Sequence, residues 1–287
     1  MAGIEIRHDI LDCGEMREVS FYPCINGKRI SDTEKKTSKT KEQMDEENFR
    51  KEQRKFIRRA NENFSANDFI ITCEYDPRYA PNSEEEFHED FYNYIRRIKY
   101  ARKKKGLGNK NFKYNIATTF EFYKSGAKKG LPHFHFHGFI TADGMTAEEL
   151  RALWRYGTKG QIERFDPYTY GPVAFAKYAA QQAKGKRRFL HSKNCTLPVV
   201  KKNNEKKHSR ISKKKLAELA EQYSDDHTYW EKRYPSYRFY GMDKRFNETN
   251  GYYYVTVYLY KKPKKDSYYE RSRRQARPNL AYAHLKR

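Results

Sequence analysis

A chain of 287 residues has room for one full domain and a second, smaller unit. Its 60 Lys and Arg against 37 Asp and Glu leave a formal net charge of +23, the balance of a protein whose customary partner is a polyanion. The 25 Tyr and 18 Phe exclude a disordered basic tail, and no stretch nears the roughly 18 apolar residues that a membrane span needs.

The opening segment, "MAGIEIRHDILDCGE", lacks the charged-then-apolar order of a signal peptide. Residues 1–65 are expected to form a polar or helical arm that ends in a basic helix, "FRKEQRKFIRRANENF", near Asn63. "NDFIITCEY" is β-branched and stops at the breaker "DPRYAPNS", so it predicts a strand. Ser83 and Glu86 have capping-box spacing, and Phe87, Phe91, Tyr94, Ile95 and Ile98 recur at helical intervals up to about Lys104.

In "FKYNIATTFEFY" the residues Tyr114, Ile116, Thr118, Phe120 and Phe122 alternate with Asn115, Ala117, Thr119 and Glu121, the pattern of a strand with one buried side. The loop "KSGAKKG" leads to "LPHFHFHGFI", a second strand. Thr146 with Glu149 starts a helix, "QIERF" is a short strand, and Gly171–Pro172 suits the start of the helix "PVAFAKYAAQQAK". "RRFLHS" is a further strand. The run 201–215 reads as a linker, followed by a helix near 213–223, the strand "GYYYVTVYLY" and a basic tail. This order predicts an α+β fold, a mostly antiparallel central sheet flanked by helices. The divisions expected are 1–65, 66–195, 196–260 for a C-terminal α/β extension, and 261–287 for the tail. Cys13, Cys24, Cys73 and Cys195 are widely spaced and read as reduced thiols of an intracellular protein.

Three of the chain's nine histidines stand within "PHFHFH". Strand alternation sends Phe134 and Phe136 to the core and His133, His135 and His137 to the other face. With the hairpin turn centred on Ala127, Glu121 falls across from His133. Two imidazoles and a carboxylate would then converge, a mixed donor set suited to Mg²⁺, Mn²⁺ or Zn²⁺ with positions left for substrate oxygen. The plain alternative is a solvated polar face. On the helix from Pro172, Val173, Phe175, Ala176, Ala179, Ala180 and Ala183 form the apolar arc. Lys177, Tyr178, Gln181 and Gln182 fall on the other side, so the Tyr178 hydroxyl is expected at a surface or cleft.

"GLPHFHFHGFI" followed some forty residues later by "AFAKYAAQQAK" resembles the HUH superfamily of rolling-circle replication initiators, of the filamentous-phage, microvirus and plasmid type. The likeness covers about residues 50–195. It implies an RRM/ferredoxin-like endonuclease fold, metal ligands at His133, His135 and Glu121, and a nucleophilic Tyr178 preceded by Lys177. Its chemistry is metal-dependent nicking and joining of single-stranded DNA, with Mg²⁺ or Mn²⁺, through a 5′-phosphotyrosine. An origin is the implied substrate, a host replication helicase the implied partner and a prokaryotic cytoplasm the implied setting. Two positions depart from the pattern: Ala174 stands where some relatives carry a second tyrosine, and Gln181 where many carry a lysine. His135 with His137 is an alternative ligand pair, and Lys177 is equally readable as a solvated lysine. Tyr168 and Tyr170 are next in line as nucleophile. Two basic patches, Arg96 to Lys113 with nine Lys/Arg and no acid, and "KGKRRFLHSK", are candidate phosphate contacts. Two other functions fit the residues: a metal phosphoesterase in which water attacks, and a non-catalytic single-stranded nucleic-acid-binding module.

Overall fold

The computed structural model describes residues 4–25, 28–30, 40–127, 129–157, 160–165, 171–199, 211–248 and 250–262. In chain order these form β1 (Glu5–Cys13), β2 (Met16–Ile25), β3 (Lys28–Arg29), α1 (Lys41–Asn63), β4 (Phe69–Glu74), α2 (Glu84–Lys104), β5 (Tyr114–Phe122) and β6 (Pro132–Ile140). Then follow α3 (Ala147–Leu153), β7 (Gly160–Arg164), α4 (Gly171–Gln182), β8 (Phe189–His191), α5 (Lys213–Glu221), α6 (His227–Arg233), β9 (Tyr237–Asn247) and β10 (Tyr252–Lys261). The fold is α+β with two antiparallel sheets. Two compact units divide it: one is Phe49–Leu197, the other the described parts of 1–48 and 198–280.

In the unit from Phe49 to Leu197 the strand order is β7-β4-β6-β5-β8, so the histidine strand β6 is central. One face receives α2 and α3. Phe87 stacks on Phe136 at 4.1 Å, and Phe91, Tyr94, Ile98, Leu150 and Trp154 complete this core. Each such fully buried aromatic contributes about 1.5–3 kcal/mol. Ser83 caps α2, and Thr146 with Glu149 forms a complete capping box at α3.

The opposite face departs from expectation. Asn115, Ala117 and Thr119 are as buried as their core-facing neighbours, because α1 and α4 cover this side too. Phe139 of β6 meets Phe56 of α1, Phe64 just past its end and Phe175 of α4. Asn115 donates to the Phe56 carbonyl at 2.9 Å, and Thr119 Oγ1 donates to the Gln182 carbonyl at 2.7 Å. Polar side chains therefore anchor helices here.

The basic helix expected to end near Asn63 is α1, but the residues before it are not the expected arm. β1 and β2 form a hairpin about Gly14 (φ 55°), and β2 pairs with β10 from the far end of the chain. Their sheet runs β1-β2-β10-β9, with β3 on β2. Val19, Phe21, Val255, Val257 and Leu259 pack with Leu216, Leu219 and Trp230 in one core. The 196–260 segment is thus no separate extension: α5, α6, β9 and β10 share that core with the N-terminal strands. Expected features in 201–210 and 263–287 lie outside the described residues.

Gly138 fixes how closely β5 and β6 approach. A Cβ there would lie 2.2 Å from the Asn115 carbonyl oxygen and 2.8 Å from the Ile116 Cα, both backbone atoms of the paired strand. Gly138→Ala is expected to lower stability by about 3 kcal/mol through this overpacking. Urea unfolding measures it, and a loss below about 1 kcal/mol would show that the strands yield freely.

Candidate active site

The β5–β6 register places Glu121 opposite His133, Thr119 opposite His135 and Ala117 opposite His137. From the other side, β4 sets Glu74 opposite His135 and Thr72 opposite His137. Directly paired residues share a sheet face, so all of these side chains stand on the side away from Phe134 and Phe136. The hairpin end is closed by Tyr123 N–H donating to the Leu131 carbonyl at 3.0 Å and Gly130 N–H to the Tyr123 carbonyl at 2.8 Å. Gly126 and Gly130 supply the positive φ that the loop needs.

The imidazoles form an unbroken row. Ring centroids are 4.5 Å apart between His133 and His135, and 4.4 Å between His135 and His137. Glu121 Oε1 lies 3.5 Å from His133 Nδ1 at one end. At the other, the Tyr178 ring meets His137 edge-on at 5.6 Å, beside Phe175 at 6.1 Å. The row also grades from open to closed: the His133 side chain is 29% exposed and Glu121 25%, whereas His135 is 4% and His137 7% exposed. Solvent therefore reaches the carboxylate end first.

Burial, and secondarily the neighbouring His137 and His133, holds the His135 pKa down at about 2. Burial, and then His133, lowers His137 to about 4. Both rings are neutral at physiological pH and keep a lone pair for a ligand or a hydrogen bond. His137 Nδ1 shares a 2.9 Å hydrogen bond with Thr72 Oγ1. His135 Nε2 is buried with no hydrogen-bond partner among the described residues. An orphaned nitrogen of this kind is costly unless something binds it.

That orphan, flanked by a second imidazole and a carboxylate, fits a divalent cation in donor chemistry. Among the described residues no three His, Cys, Asp or Glu side chains already converge as a ligand cage, so the convergence expected of Glu121, His133 and His135 is present only as a row. Glu121 and His133 are in contact, and His135 adjoins them. His137 is tied to Thr72 and stands nearest Tyr178, which distinguishes it from the His133/His135 pair.

On α4, Val173, Phe175, Ala176, Ala179 and Ala180 are buried as the helical spacing predicts, while Lys177 and Tyr178 are half-buried and Gln181 is exposed. Tyr168 and Tyr170 lie outside the described residues. Sequence reasoning missed Thr72, Glu74 and Tyr123, whose ring stacks on His133 at 4.3 Å. The pairing of β4 with β6 across a long sequence gap, not any local motif, brings in the first two.

Neutral burial of two histidines has a consequence for stability. An unfolded histidine protonates near pH 6.5, but His137 resists to about 4 and His135 to about 2. Their contribution is complete above pH 6.5 and is lost as pH falls toward those lower values, by on the order of 1 kcal/mol per pH unit for each ring. Urea unfolding of chelator-treated protein between about pH 7 and pH 5 is expected to show this slope, and a His135→Asn/His137→Asn double variant to flatten it. Equal slopes would mean the rings are not held neutral.

The chain matches no known protein-family profile, no curated protein and no solved structure.

Proposed function

We propose that this protein is a metal-dependent nuclease and strand transferase that nicks and rejoins single-stranded DNA, the activity of a rolling-circle replication initiator. One observation carries the reading: a carboxylate and three imidazoles line one sheet face, and the row ends against a tyrosine on a covering helix. A net charge of +23 supports a polyanionic substrate.

Glu121, His133 and His135 would hold Mg²⁺ or Mn²⁺. The ion, when bound, supplies charge neutralisation at a phosphate oxygen and at the departing 3′ oxygen. Tyr178 is the nucleophile. Its phenol oxygen forms a bond to phosphorus, the bond from phosphorus to the 3′ oxygen breaks, and the strand's 5′ phosphate remains on the tyrosine. In net terms the phenol gives up one proton and the 3′ oxygen takes one up, so a 3′ hydroxyl is released. Attack by a 3′ hydroxyl reverses the step and reseals a strand without an external energy source. Thr72 holds His137, and His137 packs edge-on against the Tyr178 ring, which restricts where the phenol can point. Lys177, adjacent on α4, provides positive charge beside the developing phenolate. An origin as substrate, a host replication helicase as partner and a cytoplasmic setting belong to this same reading. No helix among the described residues is long and apolar enough to cross a membrane.

The test is a panel of labelled single-stranded oligonucleotides with Mn²⁺, run on a denaturing gel. Wild type is expected to yield a cleaved strand and a labelled protein band, and Tyr178→Phe to yield neither. Cleavage without a protein band, retained in Tyr178→Phe, would establish attack by water instead. An adduct that survives the substitution would move the nucleophile to another residue.

A further inference from the structure

The chain leaving α4 does not run free. Lys184 N–H donates to the Thr118 carbonyl at 2.9 Å and Phe120 N–H donates to the Lys184 carbonyl at 3.3 Å, which together make a parallel bridge between Thr119 and Lys184. Gly185 then turns the chain with φ 108°. The Glu84 carboxylate of α2 accepts from Lys186 N–H at 2.6 Å and Arg187 N–H at 3.0 Å, and Thr118 Oγ1 donates to the Arg187 carbonyl at 2.8 Å. A short segment is thus clamped along the edge of β5 by both main-chain and side-chain bonds.

Bridge partners share a sheet face. Lys184 therefore stands on the histidine side, in one cross-sheet rank with Glu74, His135 and Thr119. Two strand spacings, roughly 10 Å, separate its backbone from that of His135. Only Thr119 intervenes, and its short side chain is buried and bonded to the Gln182 carbonyl. The Lys184 ammonium is carried on a long flexible stem, is exposed, and among the described residues pairs with no carboxylate.

The other basic patch is differently occupied. Arg102 is wholly buried and bonded to Asp143 and to the carbonyls of Gly108 and Asp143. Arg96 pairs with Glu89, Arg97 bonds the Leu153 carbonyl, Lys105 pairs with Glu149, and Lys113 bonds Asn63. Much of the Arg96–Lys113 charge is spent on holding the fold together. Lys184 instead combines a fixed backbone, an ammonium that pairs with no carboxylate among the described residues, and the face of the candidate site.

We propose that Lys184 grips a backbone phosphate next to the scissile one, so that the bound single strand passes from the open Glu121/His133 end of the row to the β5 edge. Lysine serves here as a point charge that follows a phosphate without demanding one geometry. This assignment rests on the nuclease reading for its substrate, but it concerns binding and is measurable without cleavage.

The experiment uses the Tyr178→Phe protein, with Lys184 or with Lys184→Gln or Lys184→Arg, and a single-stranded oligonucleotide titrated at several salt concentrations. Lys184→Gln is expected to weaken binding roughly tenfold, the loss of one charge-assisted bond. It should also make the log-affinity versus log-salt slope shallower by about 0.7, and Lys184→Arg should restore both. In a Tyr178 background the loss is expected in KM. Identical affinities and slopes for Lys184 and Lys184→Gln, or a loss that Lys184→Arg does not rescue, would overturn the assignment. Should wild type bind DNA yet never form a protein adduct, a slope change in Lys184→Gln would still support the phosphate grip, and the nuclease reading alone would fall.

Discussion

The pairing of β5 with β6 is the constraint on which the site depends. Because side chains alternate at every residue, a slip of one position would exchange the two faces of a strand. The histidines would enter the aromatic core and Phe134 and Phe136 would stand where the histidines do. Several features lock the register: the closed turn between Tyr123 and Leu131, the stacking of Phe120 on Phe134 and of Phe87 on Phe136, and the close approach allowed by Gly138. Apolar packing on one face thereby dictates which polar groups meet on the other.

Burying imidazoles under helices is unfavourable unless they are neutral and partnered. His137 meets both conditions through Thr72. His135 meets only the first, because its Nε2 has no partner among the described residues. A structure stabilised by roughly 5–15 kcal/mol in total can carry a few such local costs, and they concentrate where a ligand relieves them. The gradient from the open Glu121/His133 end to the covered His137 end gives the row a direction. The open side is the one that solvent reaches, while the helix that closes the other side presents Tyr178.

Much of the Phe49–Leu197 unit was legible because its signals are local. Alternation in "YNIATTFEF" and "PHFHFHGFI", capping residues at Ser83 and Thr146, and helical spacing after Pro172 each reflect contacts within one element or one hairpin. The opposition of Glu121 and His133 followed from a hairpin turn centred on Ala127 and stands in the structure. What the sequence hid is non-local. β1 is an edge strand whose alternate residues are largely exposed, so "EIRHDILDC" has a weak pattern. Its partner β2 finds β10 more than two hundred residues away, beyond the reach of any window. Thr72 and Lys184 join the histidine face only through pairings of β4 with β6 and of the post-α4 segment with β5. The second helix-covered face escaped notice because Asn115 and Thr119 look like solvent-facing residues, yet their polar atoms bond to the helices above.

The proposed function requires that Glu121, His133 and His135 together bind one divalent cation. Isothermal titration of chelator-treated protein with Mn²⁺ tests it most directly, with wild type compared with Glu121→Gln, His135→Ala and, as a contrast, the distant Glu149→Gln. One site per chain is expected, strongly weakened in the first two variants and retained in the third. Saturable binding that is indifferent to His135, or no binding at any concentration that leaves the protein folded, would contradict it.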